Sequence, residues 1–205
     1  MRQNQNQKIL RMVEMAMLVA LVVVLQLFGG AIKIGPFSLT LVLIPVVVGS
    51  IILGPWHGAI LGAIFGLVVT IQCATGVDAG GFVLWGINPF FTALICLVKG
   101  SVAGMMPGLL YRLIGGSDPN PGRARSIFAS MIASVSAPIL NTGLFLLGLS
   151  TMFNDTLVAW AGGTNVGVYI ITGLVGFNFL IEFAINLIVS PGISTVVKVV
   201  TRKKA

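Results

Sequence analysis

The chain has 205 residues, of which 57% are hydrophobic and only 8% charged, and its mean hydropathy is +1.05. So few polar residues cannot cover a water-exposed globule, so the sequence reads as an all-α polytopic membrane protein without room for a soluble catalytic domain. The net charge of +7 does not imply nucleic acid, because the cations flank apolar runs instead of forming a basic face interleaved with aromatics.

A spanning helix needs about 20 mainly apolar residues, and in chain order the sequence predicts six within a single membrane domain, 1–205. The first runs from Leu10 to Phe28 and ends at Gly29-Gly30. The second, Leu39 to Leu53, is short and carries Pro45; the turn Gly54-Pro55-Trp56-His57-Gly58 closes it, since Gly and Pro punctuate helices. The third runs from Ala59 to Cys73, and a Gly-rich loop over 74–88 leads to the fourth, Pro89 to Leu110. A polar stretch, Tyr111 to Arg125, contains the breaker Ser117 to Gly122. The fifth span is Ile127 to Leu149, a loop covers 150–165, and the sixth is Val166 to Val189.

Arg2, Lys8, Arg11, Arg112, Arg123, Arg125, Lys198, Arg202, Lys203 and Lys204 fall on one side of these spans, Lys33 alone on the other, and Lys99 inside a span. Positive loops stay cytoplasmic. Both termini are therefore expected inside, with 29–38, 74–88 and 150–165 facing out. A basic start followed by an apolar run also has the form of a signal peptide, cleaved near Gly29-Gly30-Ala31 to leave five spans; the length of the run and its spaced alanines favour a retained helix.

Small residues recur one helical turn apart at Ala16 and Ala20, at Ala59 and Ala63, along Gly58, Gly62 and Gly66, and along Gly100, Gly104 and Gly108. In lipid such ridges let helix backbones approach closely and so drive association. They predict docking faces, either inside the protein or toward a membrane partner.

With Ala16-Met17-Leu18-Val19-Ala20 and Ala59-Ile60-Leu61-Gly62-Ala63 in spans one and three, the chain resembles the S component of energy-coupling factor vitamin transporters. Gly35 to Thr40, Gly54-Pro55 through Gly66, and Lys99-Gly100 through Arg112 add to the likeness. The resemblance implies a subunit that binds one vitamin near the outer face, in a pocket shaped by spans four to six and capped by the loops after spans one and three. It also implies partners: a transmembrane coupling protein that meets Ala16, Ala20, Ala59 and Ala63, and two ABC-type ATPases. The chain itself has no Walker A pattern. No cofactor is implied. The residues from Pro36 to Gly66 and Asn88-Pro89-Phe90 look most like the pantothenate type, with folate, riboflavin, biotin and cobalamin as the other candidates.

Polar groups in hydrocarbon must be paired or line a cavity, since each one left unsatisfied costs several kcal/mol. Gln72, Trp85, Asn88, Asn141, Trp160, Asn165, Tyr169 and Asn178 form a set of amide and aromatic groups in the outer half that suits a neutral or mildly anionic ligand. The plainer alternative is that such amides cap helices or bond across them. Lys99 needs a partner, read as a structural ion pair with Glu14 or Glu182, or else as a contact to a ligand carboxylate. Asp78 and Asp155 read as solvated loop acids, Trp56 as an interfacial anchor, and His57 as a surface turn residue. Cys73 and Cys96, without CxxC spacing, read as small apolar residues with no metal site.

An intramembrane enzyme would need a nucleophile with its base, paired Asp residues or a metal cluster, and none is legible. A stand-alone secondary transporter or channel would advertise inverted repeats, and two Gly ladders do not amount to that.

Overall fold

The computed structural model describes residues 2–29, 33–34, 37–38, 41–115 and 122–204. Within them α1 spans Arg2–Gly29, and the strands β1 (Lys33–Ile34) and β2 (Phe37–Ser38) pair antiparallel with Lys33 opposite Ser38. Then come α2 (Leu43–Leu53), α3 (Pro55–Thr75), α4 (Ala79–Ile87), α5 (Pro89–Gly115), α6 (Arg123–Met152), α7 (Asn154–Ala161) and α8 (Val166–Tyr169). A π-helical segment, Ile170–Val175, joins α8 to α9, Gly176–Lys204.

The centre of the bundle is the α3–α5 pair, and glycine makes it. A Cβ added at Gly58 would run into the Gly104 carbonyl, one at Gly62 into Gly100, and one at Gly66 into Cys96. As the α3 index rises by a turn the α5 index falls by a turn, so the helices are antiparallel and in backbone contact. The glycine ladders are thus an internal interface. One turn further, Gly108 is pressed on Ser50 of α2, whose Oγ accepts from the Gly108 N–H at 2.8 Å. Around this frame Val22, Val42, Val46, Val47, Leu61 and Phe65 are buried.

Local chemistry sets the joints. Gly54 has φ +109°, a conformation glycine adopts without strain, and the Arg112 guanidinium occupies the space a side chain there would take. Pro55 follows in the first turn of α3, where its missing N–H costs nothing. Pro191 lies inside α9 and cannot donate to the Leu187 carbonyl; the Ser190 hydroxyl takes that carbonyl instead, at 2.7 Å.

Four described helices are long and apolar enough to cross a membrane: Gln7–Gly29, Pro55–Thr75, Pro89–Gly115 and Ala124–Met152. They correspond to the first, third, fourth and fifth expected spans. The second is different: its helix covers only Leu43–Leu53, about 16 Å at 1.5 Å per residue, because Leu41 and Val42 just before it form a turn. The sixth is also corrected, since α8, the π segment and α9 replace one uniform helix, and the continuously apolar part of α9 is Phe179–Thr195. Asn154–Ala161 and Val166–Leu174 form a pair bent by 84° that would make a fifth crossing if counted together. The expected loop over 74–88 holds α4 and that over 150–165 holds α7. The breaker at 117–121 and the loop residues Gly35 and Pro36 lie outside the described residues.

Because the ladder is backbone on backbone, Gly62→Ala should lower thermal stability by about 1 to 3 kcal/mol, the usual cost of overpacking. Gly86, with nothing within 4 Å of an added Cβ, is the control: Gly86→Ala should leave the melting temperature in detergent unchanged or raise it slightly.

Candidate functional site

Past the Gly66–Cys96 rung the glycines stop and side chains separate α3 from α5. There a small, partly open cavity with about 30 Å³ of enclosed free space is lined by Val69 and Cys73 of α3, Asp78, Gly81 and Leu84 at and in α4, Thr92, Ile95, Cys96 and Lys99 of α5, and Phe145 of α6.

The cavity is built from its turns. Gly76, at φ +79°, ends α3 in a left-handed cap, and the Asp78 N–H then returns to the Gln72 carbonyl at 3.2 Å. Asp78 is only 8% exposed, and its Oδ1 accepts from the Gly81 N–H at 2.7 Å, which starts α4. A carboxylate here is favoured by the N-terminal end of the helix it caps. Asp78 is therefore no solvated loop acid, and it lines the same cavity as Lys99. Asp155 is exposed, as a surface acid should be.

Lys99 is half-buried, and its ammonium sits 4.9 Å from the centroid of the Phe145 ring. A cation on an aromatic face gains about 0.5 to 2 kcal/mol. Glu182 is buried on α9 and Glu14 half-buried on α1. The thiols of Cys73 and Cys96 lie within hydrogen-bonding reach of each other on the cavity wall.

None of the amides and aromatics singled out from the sequence is among the described residues that line this cavity. Gln72 is buried against α1, where its Oε1 accepts from Gln26 Nε2 at 2.8 Å and its own amide donates to the Gln26 carbonyl at 3.2 Å. Asn88 caps α5 by accepting from Phe91 N–H at 3.1 Å, and Asn165 caps α8 by accepting from Gly167 N–H at 2.9 Å. Trp85 packs on the cluster that contains Cys73 and Cys96. Trp160 and Tyr169 pack together on a second cluster with Leu84 and Ile95, both of which line the cavity. Asn141 is buried, and its Oδ1 has no hydrogen-bond partner among the described residues. The side chain of Asn178 lies outside the described residues.

Of the alanines, Ala16 and Ala20 are exposed on α1, while Ala59 and Ala63 are half-buried on α3. The sequence reading missed the lining residues Thr92, Phe145 and Asp78. For Asp78 the signal was present: an acid directly before an apolar run, with small residues after it, is a helix start. It also missed a polar seam between α6 and α9. Ser126, Ser130 and Ser134 face α9, and Asn186, Ser190 and Ser194 face α6, all buried; the Ser126 and Ser194 hydroxyls are 3.0 Å apart. Four-residue spacing of serines on both helices was the available clue.

With this geometry in place, comparison with known proteins is informative. Residues 10–194 match the family described as ECF transporter, substrate-specific component. The chain belongs to that family. It is also 26% identical over 190 residues to the pantothenic acid transporter PanT of Lactococcus lactis subsp. cremoris (strain MG1363), covering 87% of this chain and 89% of that protein. As an ECF substrate-specific component it is a multi-pass transport protein of the bacterial cell membrane, and its family is not one of enzymes.

If the Asp78 cap holds α4 over the cavity, Asp78→Ala should cost about 0.5 to 2 kcal/mol of stability while Asp78→Asn, a residue that caps equally well, should cost little. Thermal melting of the two variants in detergent checks this.

Proposed function

We propose that the chain is the high-affinity binding subunit of an ATP-driven importer for a vitamin, with pantothenate as the first candidate. The observation that carries this reading is the family match over residues 10–194, and the likeness to a pantothenic acid transporter supports the choice of vitamin. In this reading all 205 residues form one membrane domain with six crossings and both termini cytoplasmic. The short Leu43–Leu53 helix is completed by flanking chain, and α9 supplies the last crossing.

The ligand enters from outside, over α4 and α7, into the space bounded by α3, α5 and α6. Asn141 is the strongest hydrogen-bonding candidate of the sequence-derived set, because a buried acceptor without a donor costs about 1 to 3 kcal/mol and a ligand hydroxyl or amide would relieve that cost. Trp85, Trp160 and Tyr169 supply the aromatic surround, and Gln72, Asn88, Asn165 and Asn178 hold or extend it. Hydrolysis of ATP belongs to two partner ATPases, reached through a transmembrane coupling protein. The exposed Ala16–Ala20 stripe on α1, with Ala59 and Ala63 on α3, is its landing surface, since the glycine ladders of the same bundle are already used internally.

Purified protein screened against a vitamin panel by thermal shift should be stabilised by pantothenate, by about 2.7 kcal/mol at a hundredfold excess over Kd. No shift with pantothenate, and a shift with another vitamin, would reassign the substrate. Asn141→Ala should weaken binding by about 1 to 3 kcal/mol.

Bulky Leu at Ala16 should abolish uptake in cells yet leave the affinity of the purified protein intact. Uptake by the chain alone in liposomes would instead favour a stand-alone carrier.

A further inference from the structure

The cavity carries its charge in an unequal way, and the inequality selects among ligands. Asp78 belongs to the outer turn, and its carboxylate has the Gly81 N–H and the start of α4 beside it. Lys99 stands further along α5 from Pro89 and lines the same cavity. There its ammonium rests on the face of Phe145, which attracts a cation but brings no counter-charge. The walls between them are Val69, Leu84, Ile95 and the two thiols, all apolar or weakly polar. In such surroundings a charged hydrogen bond is stronger than in water, and a charge held without one is costly.

We propose that Lys99 is the carboxylate-binding residue of this subunit: the ligand's anionic end is drawn to the bottom of the cavity, beside Phe145, and its hydroxyl or amide donors are turned toward Asp78 at the mouth. The assignment rests on the reading of the chain as a binding subunit and deepens it by naming the ligand class, a small monocarboxylate whose other end donates hydrogen bonds. Orientation follows from the charges, because the reverse pose would bring two carboxylates together at Asp78. Neutral solutes of the same shape would bind, but weakly.

The test compares pantothenate with pantothenol, in which a primary alcohol replaces the carboxylate, by titrating the purified native protein and following tryptophan fluorescence. The native protein should prefer pantothenate by roughly tenfold or more, the factor expected for one charge-assisted hydrogen bond. Lys99→Gln should bind the two ligands equally, and Lys99→Arg should restore much of the preference. Equal affinities in the native protein, or an undiminished preference in a Lys99→Gln variant that melts normally, overturn the carboxylate subsite while leaving the vitamin reading in place. Binding of neither ligand by native protein, with a different vitamin bound, overturns the choice of pantothenate; if that vitamin has no carboxylate, the subsite falls with it. Should Lys99→Gln not fold, the native comparison and Lys99→Arg still decide.

Discussion

Everything in this bundle depends on two backbones touching. In a bilayer there is little to gain by moving an apolar side chain from lipid to protein, so association must come from close packing and polar contacts. Gly58, Gly62 and Gly66 on α3 and Gly100 and Gly104 on α5 supply the first of these, removing every side chain that would hold the helices apart. The second appears beside it, where Ser50 receives the Gly108 N–H and the Ser126 and Ser194 hydroxyls meet across α6 and α9.

The cavity is a consequence of where that contact ends. At Gly66 and Cys96 the helices are still in touch, and beyond that point Val69, Cys73 and Thr92 hold them apart. The space so opened would be a lipid-filled cleft if nothing covered it. Asp78 starts a short helix, α4, across it through its side-chain oxygen, and Asn88 ends that helix through its backbone N–H to the Leu84 carbonyl while its side-chain oxygen starts α5. Polar residues at the α4 end of the bundle thus serve architecture first and leave the charge of Lys99 as the distinctive chemistry of the cavity.

Long elements were legible in the sequence and short ones were not. The helices α1, α3, α5 and α6 each contain an extended apolar run, and the ladders showed in their spacing. Two short helices, α4 and α7, hid in stretches rich in Gly, Asn and Trp that resemble loops, because their stability comes from caps and tertiary cover and not from a long periodic pattern. The π segment likewise interrupts a span that composition alone made uniform. At the site, Asn88 and Asn165 were noticed for being polar, and polarity does not distinguish a cap from a ligand contact. Asp78 was discounted because an acid in a Gly-rich stretch looks solvated, although the N–H groups of a helix start can hold it as well as water does. Cys73 and Cys96 were read as small apolar residues, and they line the cavity.

A seam of main chain against main chain has no rotamers. Side chains between ordinary helices can swing aside and let the pair slide, but α3 and α5 offer no such give along their shared glycines, so they behave as one rigid beam running through the protein. Whatever admits a solute must therefore yield elsewhere. The parts free to do so are the cover, α4 between the left-handed Gly76 and the capped Asn88, and the neighbouring α6, whose Phe145 closes the cavity from the side.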